Sequence, residues 1–290
     1  MDRIRLIASD MDATLLDEQS QLPADFEETI HALAELGIRF APASGRPLYT
    51  LEAMFPTLRD ELVFIGDNGG AIRWKGQNLF TSEMSPEGWR ALNRLTREQG
   101  DIAVLCGLES AYVERPFAVH DAVLRHFYTK IEYVDRLEDV AAPADKFTIY
   151  LPQHNAQQAY DTVYASQRSI YSVAVAGECW VDIMNPGVHK GAALQTLGQL
   201  WGLPSESIMA FGDTYNDAEM LRTAKYGFLM ENGSVPLRRN VPFLAPSPPG
   251  SRCHAGLTPC SGTERLCLSG GFCPGTLNSS IKNGAVTHLV

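Results

Sequence analysis

Apolar and polar positions along the first eighty residues alternate between strand-like and helical rhythms. Ile4 to Ser9 reads as a buried strand that stops at Asp10. Between Pro23 and Leu36 the apolar residues Phe26, Ile30, Leu33 and Leu36 recur on one helical face, and Gly37 is placed to close that helix. Ile38 to Ala43 is the next strand and delivers Ser44-Gly45-Arg46-Pro47 into a loop. Leu62 to Ile65 is a third, ending in Gly66-Asp67-Asn68-Gly69-Gly70, after which Lys75-Gly76 marks a hairpin turn. Strands alternating with helices predict an α/β domain on a parallel sheet.

From about Ser82 the rhythm changes. A helix over Pro86 to Gln99, a short strand near Ile102 to Leu105, another helix, and strands near Phe147 to Leu151, Tyr171 to Val175 and Trp180 to Met184 read as a separate α+β unit. The first pattern then resumes with a helix over Lys190 to Trp201 and a strand over Ile208 to Phe211, ending at Gly212-Asp213. A helix over Asn216 to Thr223 and a strand over Tyr226 to Met230 follow. The expected organisation is a core formed by residues 1–81 and 183–245, interrupted by an inserted α/β cap over residues 82–182.

Periodicity fails after Ala245. Residues 246–290 are rich in Pro, Gly, Ser and Cys, and their charged side chains are limited to Arg252, Glu264, Arg265 and Lys282, so no packed element is expected there. From about Ser247 the sequence reads as out of the ancestral frame or otherwise foreign. Cys253, Cys260, Cys267 and Cys273 fall in this stretch with spacers too long for a zinc site, whereas Cys106 and Cys179 read as small core residues.

Composition narrows the function. With 45% hydrophobic and 20% charged residues the chain is that of an ordinary globular protein, without an apolar run long enough for a bilayer and without a signal-peptide pattern at Met1 to Leu6. A cytoplasmic location is expected. A net charge of −10 argues against nucleic acid or an anionic membrane as partner. An anionic substrate then needs positive charge supplied locally by metal, Lys or Arg. The sequence sets no oligomeric state.

In an open parallel sheet, ligands bind beyond the carboxyl ends of the strands. Polar clusters fall at those ends: Asp10 with Asp12, then Ser44 with Arg46, then Asn68, then Asp213 with Asn216 and Asp217, while Lys190 opens the helix preceding the last cluster. Singly, each has an ordinary reading as a turn, a helix cap or a solvated residue. Their conjunction points to phosphoryl transfer, which needs an in-line nucleophile, a cation for the equatorial oxygens and a proton donor for the leaving alcohol. Asp10 can attack to form an aspartyl-phosphate, and Asp12 can serve as acid and then base if its pKa is raised. Mg²⁺ takes oxygen ligands, here Asp10, Asp213 and one backbone carbonyl, with Asp217 orienting a bound water. Lys190, Ser44 and backbone N–H groups near Gly45 can hold the phosphate, and Arg46 can join them or brace the loop. Asn68 is a weaker candidate, because Asn-Gly-Gly is equally a turn signal.

The chain resembles the haloacid dehalogenase superfamily, specifically the Cof-like hydrolases. Asp10-Met11-Asp12-Ala13-Thr14 matches the first motif, Ser44-Gly45-Arg46 the second, Lys190-Gly191 the third, and Gly212-Asp213 through Asn216-Asp217 the fourth. The resemblance, which runs from Met1 to about Ala245, implies a Rossmann-like parallel-sheet core with an α+β cap inserted between the second and third motifs. It implies Asp10 as nucleophile and Mg²⁺ ligand, Asp12 as acid/base whose backbone carbonyl meets the metal, and Asp213 as a further ligand. Ser44, Lys190 and Asn216 become phosphate contacts. Ala13 departs from the family's usual Gly, which matters if that position has positive φ. The implied activity is hydrolysis of small phosphate monoesters, such as sugar phosphates. The competing readings are a phosphomutase of the same superfamily, a receiver-like module, and a non-catalytic binder of phosphorylated ligands. Within the cap, Trp89, Phe117, Phe127 and Trp180 read as core, and His120, His126, Arg115, Lys130 and Glu178 as solvated surface.

Overall fold

The computed structural model describes residues 4–239, 241 and 243–247. In chain order its elements begin with β1 (Leu6–Asp10), α1 (Phe26–Glu35), β2 (Arg39–Ala43), α2 (Leu48–Met54), β3 (Val63–Gly66), β4 (Ala71–Trp74), β5 (Gln77–Thr81) and α3 (Pro86–Gln99). They continue with β6 (Ile102–Gly107), β7 (Ala111–Glu114), α4 (Asp121–Phe127), β8 (Ile131–Val134), β9 (Ala144–Tyr150), α5 (Ala156–Thr162), β10 (Ser172–Val175) and β11 (Trp180–Met184). The last are α6 (Lys190–Trp201), β12 (Ile208–Gly212), α7 (Ala218–Thr223), β13 (Tyr226–Met230) and β14 (Phe243–Ala245). Two compact units result, one from the segments up to Pro42 and from Leu197 onward, the other from Ala43–Thr196. The tail expected to lack packed elements lies, beyond Ser247, outside the described residues, and so do its four cysteines.

In the first unit the strands run in the order β14, β13, β12, β1, β2. The pairs β1–β12, β12–β13 and β13–β14 are parallel. Chain order proceeds outward on both sides of β1, which makes the carboxyl end of β1 a topological switch point. All five residues of β1 are buried, as a central parallel strand covered on both faces requires. Helix α1 buries Phe26, Ile30 and Leu33. It ends where Gly37 adopts φ 71°, with the Gly37 N–H donating to Ala34 O and that of Ile38 to Leu33 O.

The second unit contains two sheet segments. Ala43, the last residue of β2, pairs in parallel with Ile65 of β3, and β3, β4 and β5 follow as an antiparallel meander. Its hairpin turn is Lys75-Gly76, with φ of 50° and 71°, the two left-handed residues that a tight turn between twisted strands demands. The other segment is a six-stranded sheet in the order β10, β11, β9, β6, β7, β8. Helix α3 opens on Ser85, whose Oγ accepts from the Gly88 N–H, has Pro86 in its first turn, and closes at Gly100 with φ 74°.

Alternation along the central strands gives this sheet two unlike faces. On one face Ala103, Leu105, Phe147, Ile149, Val181 and Ile183 pack with residues of α3 and α5. On the other, Ile102, Val104, Cys106, Tyr150 and Trp180 pack with Leu124 and Tyr128. By the same alternation Lys146, Thr148 and Asp182 belong to this second face, where Thr148 pairs across from Asp182 and Lys146 from Cys106. Trp89 and Trp180 are buried in these clusters, with Phe117 and Phe127 packed beside them. Cys106 is a buried core residue, whereas Cys179 is half-buried. Among the described residues no helix is long and apolar enough to cross a membrane.

Candidate active site

The first unit gathers three carboxylates at the ends of β1 and β12. Parallel pairing in the register Ser9 with Phe211 brings Asp10 and Asp213 out at the same sheet edge. One carboxylate oxygen each from Asp10, Asp213 and Asp217 lie within 4.8 Å of one another, and all three residues are buried. Asp217 is fixed there because its Oδ2 accepts from the N–H groups of Asp213 at 3.0 Å and Thr214 at 3.1 Å, half of a capping box at the entrance to α7. Only glycine fits at position 212, since a Cβ there would lie 2.5 Å from the Cβ of Asp217. Three buried carboxylates this close repel one another unless a cation lies among them, and an all-oxygen donor set suits a hard divalent ion such as Mg²⁺.

The turn after β1 carries Asp12. The Met11 carbonyl accepts from the N–H groups of Leu15 and Leu16, and Ala13 adopts φ 61°, the left-handed conformation in which the residue type at this position matters. The Asp12 side chain is exposed and is not one of the three clustered carboxylates. Asn216 is exposed too, and its Oδ1 accepts from the Thr214 hydroxyl at 2.6 Å.

The second unit holds Ser44, Gly45, Arg46, Asn68 and Lys190. Ser44 and Arg46 are buried, Gly45 is half-buried, and Lys190 is fully buried at the first residue of α6. The Ser44 N–H donates to Ile65 O, the Asn68 N–H to Ser44 O, and the Asp67 N–H to Arg46 O, so the loops after β2 and β3 brace each other. Ser44 Oγ accepts from the Arg46 N–H at 3.1 Å. Asp67, Asn68 and Gly69 are three consecutive residues with positive φ, at 50°, 54° and 97°. At Gly69 a Cβ would lie 2.6 Å from the His189 carbonyl oxygen, so the bare backbone lets this turn approach the start of α6. His189 Nδ1 accepts from the Ala192 N–H at 3.1 Å, which caps that helix and requires this ring nitrogen to be unprotonated.

Sequence reasoning missed Lys146, Asp67, Asp145, Asp182 and Asn232. The Lys146 ammonium donates to the Gly45 carbonyl at 2.6 Å and pairs with Asp67 at 3.0 Å and Asp182 at 3.7 Å. Asp182 also accepts from Asn68 Nδ2 at 3.0 Å and from the Thr148 hydroxyl at 2.8 Å. Burial works against the Lys146 charge, yet Asp182 and Asp67 outweigh it and hold the ammonium well above the usual lysine range. Burial lifts the Asp67 carboxyl, with Lys146 pulling the other way. Asp145 is lifted well above the carboxylate range by burial and by the neighbouring Asp67. The signal available in the sequence was Asp145-Lys146 directly before the apolar run from Phe147: every residue of β9 is buried, and a charge there needs a partner.

A family model of haloacid dehalogenase-like hydrolases matches residues 7–248. The chain is 33% identical over 233 residues to the 5-amino-6-(5-phospho-D-ribitylamino)uracil phosphatase YbjI of Escherichia coli, covering 79% of this chain and 86% of that protein. It is 31% identical over 249 residues to the HMP-PP phosphatase of Cronobacter sakazakii, covering 83% and 89%. Among solved structures, SMU.1108c of Streptococcus mutans superposes with a TM-score of 0.75 at 29% identity, over 84% of this chain and 94% of that one. With the four motifs at their strand ends and helix starts, the chain belongs to the haloacid dehalogenase-like hydrolases of the Cof type, as a phosphoric monoester hydrolase with a Rossmann-like core and an inserted cap.

Proposed function

We propose that this hydrolase cleaves monoesters of small phosphorylated metabolites, sugar phosphates among them, through an aspartyl-phosphate on Asp10. The observation that carries the proposal is the buried group formed by Asp10, Asp213 and Asp217 at the switch point of the sheet. A carboxylate oxygen of Asp10 attacks phosphorus, the ester P–O bond breaks, and Asp12 gives its proton to the departing alkoxide. Water then attacks the aspartyl-phosphate, Asp12 takes its proton, and inorganic phosphate leaves with Asp10 restored. Asp10, Asp213 and Asp217, with the Asp12 carbonyl, are the groups that would hold Mg²⁺, which supplies charge neutralisation for the phosphoryl oxygens when bound. Ser44, Gly45, Arg46, Lys190 and Asn216 bind the phosphate; a buried ammonium at a helix N-terminus, as at Lys190, favours an anionic companion. Residues 82–182 act as the cap that excludes water and selects the leaving group, and the enzyme works in the cytoplasm.

The test is a panel of phosphate esters assayed with Mg²⁺: sugar phosphates, nucleotides, an aryl phosphate, and the two compounds after which the Escherichia coli and Cronobacter sakazakii phosphatases are named. Wild-type protein should release inorganic phosphate from some of them, EDTA should stop turnover, and Asp10→Asn should be folded and inactive. Activity that persists in Asp10→Asn sinks the nucleophile assignment, and phosphate returned to another hydroxyl of the sugar marks a mutase instead.

A further inference from the structure

Lys146 lies on β9, in the segment read as the cap, yet its ammonium reaches the carbonyl of Gly45 in the loop after β2. That contact fixes the plane of the Gly45–Arg46 peptide. In a trans peptide the N–H points opposite to the carbonyl, so pinning Gly45 O also aims the Arg46 N–H. That N–H donates to Ser44 Oγ. A hydroxyl that accepts a hydrogen bond on one lone pair still has its own hydrogen to donate, and a phosphate oxygen is an acceptor. The ammonium is in turn held at its post by Asp67 and Asp182, and Asp182 by Thr148 and Asn68. Polarity therefore runs in one direction, from the buried ammonium through the loop peptide to the serine hydroxyl.

We infer that Lys146 is a positioning residue of the phosphate-binding loop, acting through the Gly45–Arg46 peptide to hold Ser44 as a hydrogen-bond donor to the substrate's phosphoryl group. The inference rests on the proposal that the Ser44 loop holds phosphate. It makes phosphate affinity depend on a side chain that does not touch phosphate. It also gives Asp67 and Asp182 a task, since both carboxylates keep the ammonium charged and in place.

A double-mutant cycle tests this on the full-length protein, with the dissociation constant of inorganic phosphate measured by calorimetry in the presence of Mg²⁺. Ser44→Ala and Lys146→Met should each weaken phosphate binding by about ten-fold, and the double variant should be no weaker than Ser44→Ala alone, a coupling of about 1.4 kcal/mol. Additive losses, or unchanged affinity in folded Lys146→Met, overturn the inference. If Ser44→Ala itself binds phosphate normally, the reading of that loop fails instead, which is a different result. Should Lys146→Met not fold, Lys146→Arg keeps a cation for Asp67 and Asp182 but moves the donor, because the guanidinium is longer and planar. A loss of at least about three-fold is then expected, and wild-type affinity in that variant counts against the inference.

Discussion

The side-chain amide of Asn232 donates to the carbonyl oxygen of Ala13 at 2.7 Å, joining positions 219 residues apart. Ala13 is the residue at φ 61° in the turn that follows Asp10, and Asn232 is buried. The bond thus ties the loop after β13 to the turn that aims Asp12. Asn232→Ala should cost about 1–3 kcal/mol, because it leaves a carbonyl without its partner, and should lower kcat more than it raises KM. Denaturant melts and steady-state kinetics check both; wild-type stability would show that the bond carries no weight.

Ala13 bears the converse expectation. A side chain in the left-handed region costs about 1–2 kcal/mol, so Ala13→Gly should relieve strain, offset in part by the greater freedom of glycine in the unfolded chain. The net effect should be a small gain in stability with activity retained, read as a rise in Tm. A clear loss of stability would mean that the turn tolerates alanine without strain.

Gly212 should accept no side chain. Its added Cβ would press on Asp217 Cβ at 2.5 Å and Cγ at 2.7 Å, and Asp217 is anchored by two backbone N–H groups. Gly212→Ala should cost about 1–3 kcal/mol through overpacking and should weaken Mg²⁺ binding by displacing one of three clustered carboxylates. Titration of Mg²⁺ against thermal stability tests this, and an unchanged midpoint would count against the placement.

Asp145 sets a pH dependence. It is buried in the second unit, and among the described residues neither carboxyl oxygen meets a hydrogen-bond donor. Asp67 and Glu83 repel its charge, Lys146 attracts it, and burial decides the outcome by raising its pKa. Above about pH 4 the folded protein therefore holds more protons at this site than the unfolded chain, and stability falls as pH rises. Asp145→Asn should be more stable than wild type at neutral pH, with the advantage vanishing near about pH 4. Melting curves across that range decide it, and a penalty at every pH would show that the carboxyl has a partner that the amide cannot replace.

Thiol reactivity should separate two cysteines. Burial pushes the Cys106 thiol up to about 12, while Cys179 is half-buried. With iodoacetamide under native conditions Cys179 should be alkylated well before Cys106, as peptide mapping by mass spectrometry will show. Equal rates would mean that the sheet around Cys106 opens readily.

Long elements with strong local signals were legible in the sequence. Helix α3 runs over Pro86–Gln99 as Ser85, Pro86 and Gly100 dictate, and α6, β11 and β13 also begin and end where the pattern placed them. Helix α1 is shorter than its apolar face suggested, starting at Phe26. Helix α2 escaped notice because Leu48, Tyr49, Thr50, Leu51 and Glu52 are all buried, leaving no polar face to reveal a period. Strands β7 and β8, four residues each, are too short for alternation to stand out. For the candidate site, the polar residues at the carboxyl ends of strands stood out only in conjunction, and of these Asp10, Asp213 and Asp217 come together in one buried group. Lys146 and Asn232 could not, because each meets its partner only after distant segments have paired.

That distance has a consequence in time. Strand β9 is paired with β11 on one side and β6 on the other, and both partners are far away in sequence. Contacts of this kind form late, since loop closure must precede them. During refolding, helical signal should return first, and affinity for phosphate should lag until the central strand carrying Lys146 has found both neighbours.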